Sequence, residues 1–199
     1  SQPAANIVAT MWSTLSPNTL TIAEHVTWWL ALGLILLFLP YFPYSKHAHL
    51  FMGPLNIMAS EKRRSMAAIE TIDFEDEELD QFGAAQIQHL PQTQLLDGYA
   101  CIQCSRCQDA CPAYETGKEL SPSALEINKR YFINDNLSII ANGESIDKAL
   151  TDWMLTEEAA WSCTTCGYCV EVCPVGNEPM IDILRARQNL VMMESNFPQ

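Results

Sequence analysis

The chain has 199 residues, of which 48% are hydrophobic, and its formal net charge is −13. That length allows one modest domain together with a separate apolar segment. The charge is uneven: residues 1–45 carry only Glu24, residues 46–64 have four basic residues and one acidic residue, and residues 65–199 have seven basic and 22 acidic residues. Because residues 65–199 carry a strong net negative charge, the composition argues against nucleic acid as a partner.

The first two predicted segments are a mixed N-terminal segment, residues 1–20, and a transmembrane helix, residues 21–45. From His25 to Ser45 the chain has no Asp, Glu, Lys or Arg. That length is close to what a helix needs to cross the hydrocarbon core of a bilayer. The alternative is a buried helix in a soluble core. Aromatic residues that suit the two membrane–water interfaces lie near its ends: Trp28, Trp29, Tyr41 and Tyr44.

Residues 46–90 form a predicted juxtamembrane connector that is first basic and then acidic. The basic residues follow the apolar segment directly, so the positive-inside rule places the carboxyl side of the membrane helix in the cytoplasm. The acidic stretch DFEDEELDQFG, residues 73–83, is expected to be the solvated start of a helix, where carboxylates suit the positive end of the helix dipole. The alternative is a docking patch for a basic partner.

Residues 91–199 contain all eight cysteines, in two runs with one spacing: CIQCSRCQDACP at 101–112 and CTTCGYCVEVCP at 163–174. The pattern C-x2-C-x2-C-x3-C-P is typical of the ligands of a [4Fe–4S] cluster. Zinc sites usually take two separated C-x2-C pairs, and disulfides need an oxidising compartment. A redox C-x-x-C motif needs only a single pair. The doubled run therefore predicts two [4Fe–4S] clusters.

The fourth cysteine of each run lies one helical turn beyond the third, so we expect both thiolates on one face of a helix. In two-cluster ferredoxins this fourth cysteine ligates the other cluster. Gly167 is expected to supply backbone freedom in the second loop. The predicted ligands are Cys101, Cys104, Cys107 and Cys173 for the first cluster, and Cys163, Cys166, Cys169 and Cys111 for the second.

Helical patterns dominate the rest of the chain. Ser121 and Pro122 are typical of a helix start. Apolar residues have helical spacing in residues 145–155 and 178–193, and strand-like alternation is scarce. The predicted fold class is therefore all-α: a single transmembrane helix, followed by an α-helical dicluster [4Fe–4S] ferredoxin domain over residues 91–199.

The sequence resembles the membrane-bound, heterodisulfide-reductase-related iron–sulfur proteins, in which a nitrate-reductase gamma-like membrane part precedes an α-helical ferredoxin domain. The resemblance covers most of residues 25–199, and the segment PYSKHAHLF makes it specific. Members usually have several membrane helices upstream and cysteine-rich CCG repeats downstream, whereas this sequence has one such helix and no such repeats. We expect that the repeats belong to a separate subunit or that the chain is a piece of a longer protein. The matching segments are HVTWW, PYSKHAHLFMGPLN, DFEDEELDQFG, LLDGYACIQCSRCQDACPAYETGKELSP and AAWSCTTCGYCVEVCPV.

The resemblance implies electron transfer between a quinone pool and a soluble redox partner, often a flavoprotein or thiol–disulfide chemistry, and commonly b haem in the membrane part. His25 in the membrane segment and His47 and His49 just beyond it are candidate ligands of haem b or contacts of a quinone. The alternative is that His25 is a polar residue at the interface, and that His47 and His49 contact lipid headgroups. His89 is expected to be an ordinary surface residue.

The predicted function is that of a membrane-anchored iron–sulfur subunit that relays electrons between membrane quinone or haem and a cytoplasmic oxidoreductase. We expect a prokaryotic cytoplasmic membrane, with the clusters on the cytoplasmic side. Its partners would be other membrane and cytoplasmic redox subunits, such as a flavoprotein or a CCG-domain protein. The chain is not expected to catalyse a net reaction alone. The alternative function is that of a membrane-anchored assembly or binding protein with structural zinc in the cysteine motifs.

Overall fold

A computed structural model of the chain describes residues 3–60, 72–75 and 80–198. The chain divides into two compact units, Ser1–Ser45 and Lys46–Gln199. Within the described ranges all regular secondary structure is helical and no strand is present. The predicted all-α fold class is confirmed.

The first unit contains helix α1, Pro3–Trp12, and helix α2, Pro17–Tyr41, which continues as a 3-10 turn over Phe42–Tyr44. Helix α2 starts four residues before the predicted boundary because Ser16 caps it: its side-chain oxygen accepts a hydrogen bond from the backbone N–H of Thr19 at 3.3 Å. The segment Pro17–Tyr44 has a mean hydropathy of 1.8, and none of it is buried in the structure. Among the described residues it is the one helix that is long and apolar enough to cross a membrane.

The second unit is built from short helices. Single 3-10 turns occupy Lys46–Ala48, Ile87–His89 and Leu150–Asp152. The α-helices of its described part are α3 His49–Ala59, α4 Gln92–Ala100, α5 Arg106–Asp109, α6 Pro112–Glu115, α7 Pro122–Asp135, α8 Leu137–Ala141, α9 Glu157–Ser162, α10 Tyr168–Glu171 and α11 Pro179–Met192.

Two of the predicted helices are present with the expected start signals. Helix α7 begins at Pro122, and the Ser121 side chain accepts a hydrogen bond from the backbone N–H of Ala124 at 3.1 Å. Helix α11 runs over nearly the whole of residues 178–193, and a proline again occupies its first turn. In both cases the missing N–H of proline costs nothing, because the first N–H groups of a helix have no partner within it.

The helical prediction for residues 145–155 is wrong, since only Leu150–Asp152 form a 3-10 turn there. The segment finds its partners elsewhere in the fold. The backbone N–H of Leu150 donates to the carbonyl of Ala85 at 2.8 Å. The ring of Trp153 stacks on that of Phe132, with centroids 3.9 Å apart. These tertiary contacts bury the apolar residues without a helix.

The acidic stretch 73–83 does not begin a helix in its described part. The backbone N–H of Glu75 donates to the Asp73 side chain at 3.0 Å, an arrangement typical of a turn. Residues 76–79 lie outside the described residues, as do the basic residues Lys62, Arg63 and Arg64 of the connector.

The main hydrophobic core lies beside the cysteine runs. Leu120, Leu125, Leu150 and Ile183 are each about 1% exposed, and they pack in one cluster that also contains Cys111. A smaller cluster contains Cys169, Met180 and Leu184, with Cys107 and Cys163 packed against it. Four of the eight cysteines are therefore held by packing in or against these two clusters.

Candidate metal centre

The two cysteine runs follow the same backbone course. Helix α4 ends at Ala100 and α9 ends at Ser162, each directly before the first cysteine of a run. A loop follows, and then a four-residue helix, α5 or α10, carries the third cysteine. Left-handed backbone occurs at matched positions of the two loops: Gln103 (φ 57°) with Thr165 (φ 54°), and Ser105 (φ 60°) with Gly167 (φ 73°).

Only one of these four left-handed positions is a glycine. The expected freedom at Gly167 is confirmed by its φ of 73°, which a residue without Cβ adopts readily. Gln103, Ser105 and Thr165 adopt the same region at a cost of about 1–2 kcal/mol each. Backbone strain of this kind is characteristic of functional sites, where the surrounding structure holds it in place.

The loop geometry directs backbone N–H groups at sulfur. The N–H of Thr165 donates to Cys163 Sγ at 3.4 Å, and that of Asn177 donates to Cys173 Sγ at 3.3 Å. A backbone N–H of Gln103 does the same for Cys101 and lowers its pKa, although burial has the larger and opposite effect. Such donors stabilise negative charge on the thiolate ligands of a metal centre.

One cavity gathers cysteines from both runs. Cys101, Cys104 and Cys107 of the first run line it together with Cys169 and Cys173 of the second. It holds about 370 Å³ of empty space, part of which is open to solvent. Cys111 is not among the lining residues; it is 8% exposed and lies in the main core, against which Cys163 also packs. The fourth cysteine of each run is therefore placed beside the other run.

The pKa values of the thiols reflect how close the cysteines of the two runs lie to one another. Burial, and then the neighbouring thiols Cys101, Cys173 and Cys169, raise the pKa of Cys107 to about 12. Burial, and then Cys163, Cys166 and Cys111, raise the pKa of Cys169 to about 12.

Thiols with such pKa values are protonated near neutral pH unless a cation offsets their charge. Binding of iron would displace these protons, so cluster assembly is coupled to proton release. The donor set fits an iron–sulfur cluster, because each group offers soft thiolate ligands beside backbone N–H donors. Within the described ranges, no group of three or more His, Cys, Asp or Glu side chains is arranged to hold a single metal ion.

The expectation that the third and fourth cysteines of a run share one helix face is wrong. Helix α5 ends at Asp109 and α10 ends at Glu171, so Cys111 and Cys173 both lie beyond the helix end. Cys111 has an extended conformation, with φ −82° and ψ 117°. The cause is the proline that follows each of these cysteines, since a residue before proline is disfavoured in the α region.

A buried ionic network behind the cavity is absent from the sequence predictions. Lys129 Nζ lies 2.5 Å from Asp182 Oδ2 and 3.2 Å from Glu126 Oε2. Burial raises the pKa of Glu126 to about 8 and that of Asp97 to about 6, and Lys129 opposes both shifts. Glu126 also lines the cavity. The spacing of Glu126 and Lys129 along α7 is ordinary for a solvated ion pair, so the sequence carries no signal of their burial.

A second cation lies at the other cysteine run. Arg187 Nε donates to the carbonyl of Ala160 at 2.8 Å, and its Nη2 donates to the carbonyl of Cys163 at 2.5 Å. Its guanidinium also lies over the Trp161 ring, 5.2 Å from the centroid. Burial raises the pKa of Cys163, and the charge of Arg187 opposes that shift.

The histidines are held by local backbone contacts. The Nδ1–H of His25 donates to the carbonyl of Thr21 at 2.9 Å, and that of His49 donates to the carbonyl of Lys46 at 2.5 Å. His47 lies in the 3-10 turn Lys46–Ala48. The expectation that His89 is an ordinary surface residue is wrong, because its half-buried Nδ1 accepts hydrogen bonds from the backbone N–H groups of residues 85 and 86.

Residues 97–177 match the family model of the 4Fe-4S dicluster domain. The chain contains a 4Fe-4S dicluster domain. The match includes both cysteine runs and helix α7 between them, which supply most of the residues that line the cavity. No solved structure matches the chain.

Three similar proteins cover most of this chain. A probable iron-sulfur-binding oxidoreductase, FadF, of Bacillus subtilis is 34% identical over 99% of the chain. An EtfAB:quinone oxidoreductase of Syntrophomonas wolfei is 28% identical over 98% of it. A probable membrane-anchored ferredoxin of Chromohalobacter salexigens is 26% identical over 75% of it. The chain covers 32%, 30% and 26% of these proteins, respectively, and so spans about a third of their length or less.

The family match supports an iron–sulfur domain in this chain, and two of the relatives that it resembles are named as oxidoreductases. The apolar helix Pro17–Tyr44 and the relative named as a membrane-anchored ferredoxin support anchoring in a membrane.

Proposed function

We propose that this chain is the membrane-anchored iron–sulfur part of a complex that relays electrons between a membrane quinone or haem and a cytoplasmic oxidoreductase. The observation that carries the proposal is the doubled cysteine loop, with each run's fourth cysteine beside the other run, in a unit joined directly to an apolar helix. When bound, the clusters supply one-electron redox chemistry. The chain's own residues hold the thiolates, supply N–H donors to them and limit their contact with solvent.

The proposed ligation is crossed: Cys101, Cys104, Cys107 and Cys173 for one cluster, and Cys163, Cys166, Cys169 and Cys111 for the other. Three features support it. Cys173 lines the cavity of the first run, Cys111 lies in the main core against which Cys163 packs, and Cys111 raises the pKa of Cys169, after burial and the thiols of the second run.

A pair of matched variants tests the crossing. Cys111→Ser should damage the cluster held by the second run, and Cys173→Ser should damage the cluster held by the first. Electron paramagnetic resonance of the reduced variants, assigned against Cys104→Ser and Cys166→Ser, measures which signal is lost. The crossing is wrong if Cys111→Ser and Cys104→Ser remove the same signal.

Metal analysis separates the proposal from the alternative of structural zinc. Two [4Fe–4S] clusters require about eight iron atoms and eight acid-labile sulfides per chain, whereas the zinc alternative requires about two zinc ions. Protein assembled anaerobically should contain iron and sulfide in equal amounts and be reducible by dithionite. Zinc in place of iron in the natively assembled protein would refute the proposal.

The membrane-side partner is proposed to be a quinone, and the name of the relative from Syntrophomonas wolfei, which pairs EtfAB with quinone, supports this. The soluble partner would then be a flavoprotein or a CCG-domain protein, as expected for the heterodisulfide-reductase-related family. His25, His47 and His49 remain proposed contacts of haem b or quinone. Each histidine would need a second haem ligand, or further contacts to the quinone, from another helix.

Electron transfer is tested with the purified chain and with its neighbouring subunits restored. The chain alone should be reduced by dithionite yet show no steady turnover with quinols or thiol substrates, since the proposal assigns the terminal donor and acceptor sites to neighbouring subunits. Activity should appear when the neighbouring subunits are added. Steady reduction or oxidation of quinone by this chain, with no other polypeptide present, would contradict the proposal.

Sidedness is the last part of the proposal: the clusters face the cytoplasm of a prokaryotic cell, as the basic residues after the apolar helix favour. In inverted membrane vesicles the cytoplasmic face is outward, so added protease should digest the cysteine-containing unit. Protection of that unit in inverted vesicles, with digestion after detergent is added, would reverse the orientation.

A further inference from the structure

Helix α3, His49–Ala59, has one face buried in the second unit and one face exposed. Gly53 and Asn56 are buried on the inner face. The outer face is apolar, and its side chains are 49–80% exposed: Leu50, Leu55, Ile57 and Met58. An exposed apolar face made of four neighbouring side chains is typical of a surface that meets a membrane or a partner.

The inner face is fixed by specific contacts. Asn56 Nδ2 donates to Asp97 Oδ1 at 2.7 Å and to the carbonyl of Val175 at 3.2 Å. Gly53 lies so close to Val175 that an added Cβ would be 3.4 Å from Val175 Cγ1. These contacts fix the orientation of α3, so its apolar outer face points away from the core of its own unit.

The same contacts connect α3 to the cavity of the first cysteine run. Asp97 lies on α4, one turn before Cys101. Val175 lines the cavity and follows Cys173 by two residues. Helix α3 therefore packs against residues that line or border this cavity.

Few residues separate α3 from the apolar helix along the chain. That segment ends at Tyr44 and α3 begins at His49, so five residue steps separate them, a reach of at most about 18 Å. If the apolar helix crosses a membrane, α3 must start near the membrane–water boundary.

The charges around α3 also suit a lipid surface. Residues 47–60 contain no Asp, Glu, Lys or Arg. Lys46 precedes them, and Glu61, Lys62, Arg63 and Arg64 follow, so the flanking charges sum to +3. An apolar helix face flanked by basic residues is the pattern of helices that lie in the interface of anionic membranes.

We propose that α3 lies in the membrane–water interface, with Leu50, Leu55, Ile57 and Met58 inserted among the lipids of an anionic leaflet. This inference rests on the proposed membrane-anchored function and adds a second contact with the membrane. It makes the cavity lined by Cys101, Cys104, Cys107 and Cys173 the one that is held at the membrane surface. The cluster proposed for that cavity is then the one that exchanges electrons with the membrane.

The test places a photocrosslinking residue on the outer face. Met58 is replaced by p-benzoylphenylalanine in the full chain, which is reconstituted with its clusters into vesicles of phosphatidylcholine and phosphatidylglycerol. The matched control has the same replacement at Met193, an exposed methionine at the end of α11. After irradiation, mass spectrometry should find severalfold more lipid adducts at position 58 than at position 193. Adducts at position 58 should decrease in vesicles of phosphatidylcholine alone.

Three results would overturn the inference. The first is an equal yield of lipid adducts at positions 58 and 193. The second is crosslinking of position 58 to protein in place of lipid, which would indicate a second copy or a partner on this face. The third, an equal yield in neutral and anionic vesicles, would remove the role of anionic lipid. Leu50 supplies a second site on the same face if the change at Met58 impairs cluster assembly.

Failure of this inference is distinguishable from failure of the proposed function. The same samples are assayed for iron, sulfide and reduction by dithionite. Normal clusters without lipid adducts at positions 50 and 58 would refute only the interfacial helix. Absence of reducible clusters in the unsubstituted chain would refute the proposed function.

Discussion

Replacement of Lys129 by Met should destabilise the second unit more than any exposed charge change. The Lys129 side chain is completely buried, and its Nζ contacts Asp182 Oδ2 at 2.5 Å, Glu126 Oε2 at 3.2 Å and the carbonyl of Gln94 at 2.8 Å. Methionine fills a similar volume but leaves the two carboxylates without a cation. Breaking a buried ion pair in this way costs about 3–5 kcal/mol. For a domain of this size that corresponds to a decrease in melting temperature of about 6–20 °C.

The loss of stability caused by Lys129→Met should grow as the pH rises. Burial raises the folded-state pKa of Glu126 to about 8 and that of Asp97 to about 6, from ordinary values of 4.5 and 3.8. Between the ordinary and raised values the folded chain holds more protons than the unfolded chain, so this contribution to stability falls with increasing pH. Lys129 opposes both shifts, so its removal raises both pKa values further. The loss of stability should therefore be smallest near pH 5 and largest above about pH 8.

Thermal loss of the visible cluster absorbance, followed anaerobically at several pH values, measures the effect. Lys118→Met is the matched control, because Lys118 is exposed and its replacement should change stability by no more than about 0.5 kcal/mol. Lys129→Met combined with Asp182→Asn should recover part of the loss, since one uncompensated carboxylate is removed. The argument would be refuted if the Lys129→Met protein had the same melting temperature as the unsubstituted chain, or if its loss of stability did not depend on pH.

Three further changes have defined outcomes. Arg187→Met should shift the reduction potential of the second run's cluster to more negative values, because a nearby positive charge that favours the reduced state is lost. The expected shift is some tens of millivolts, since a tenfold change in a one-electron equilibrium corresponds to about 59 mV. A redox titration measures the shift, and Arg187→Lys should retain most of the original potential. Asn56→Leu should cost about 1–3 kcal/mol in thermal denaturation, because the carbonyl of Val175 and the Asp97 carboxylate lose a buried donor; an unchanged melting temperature would contradict this. Gly83→Ala should destabilise the unit by more than about 2 kcal/mol, because the new Cβ would lie 2.2 Å from the carbonyl oxygen of Arg185 at a φ of +74°. Its control, Gly117→Ala, has a φ of +77° in open space and should cost only about 1 kcal/mol; equal effects of the two changes would show that the close contact at Gly83 is unimportant.

The sequence by itself determined the features that depend on spacing and composition. The doubled cysteine pattern indicated the dicluster domain, because ligand spacing is a local property of the chain. The apolar run indicated the long helix Pro17–Tyr44, because length and composition alone decide whether a helix can cross a bilayer. Ser121 and Pro122 marked the start of α7, because capping uses only neighbouring residues.

Tertiary structure decided the features that depend on contacts between distant residues. Residues 145–155 have helical spacing, yet Leu150 pairs with Ala85 and Trp153 stacks on Phe132, so that long-range partners override the local preference. The burial of Lys129 with Asp182 and Glu126 follows from the packing of α7 against α11, and no residue spacing shows it. The exposed apolar face of α3 likewise depends on the burial of Asn56 and Gly53 on the opposite face. Burial is a property of the assembled fold, and a single sequence gives it only where the hydrophobic pattern of one element is decisive.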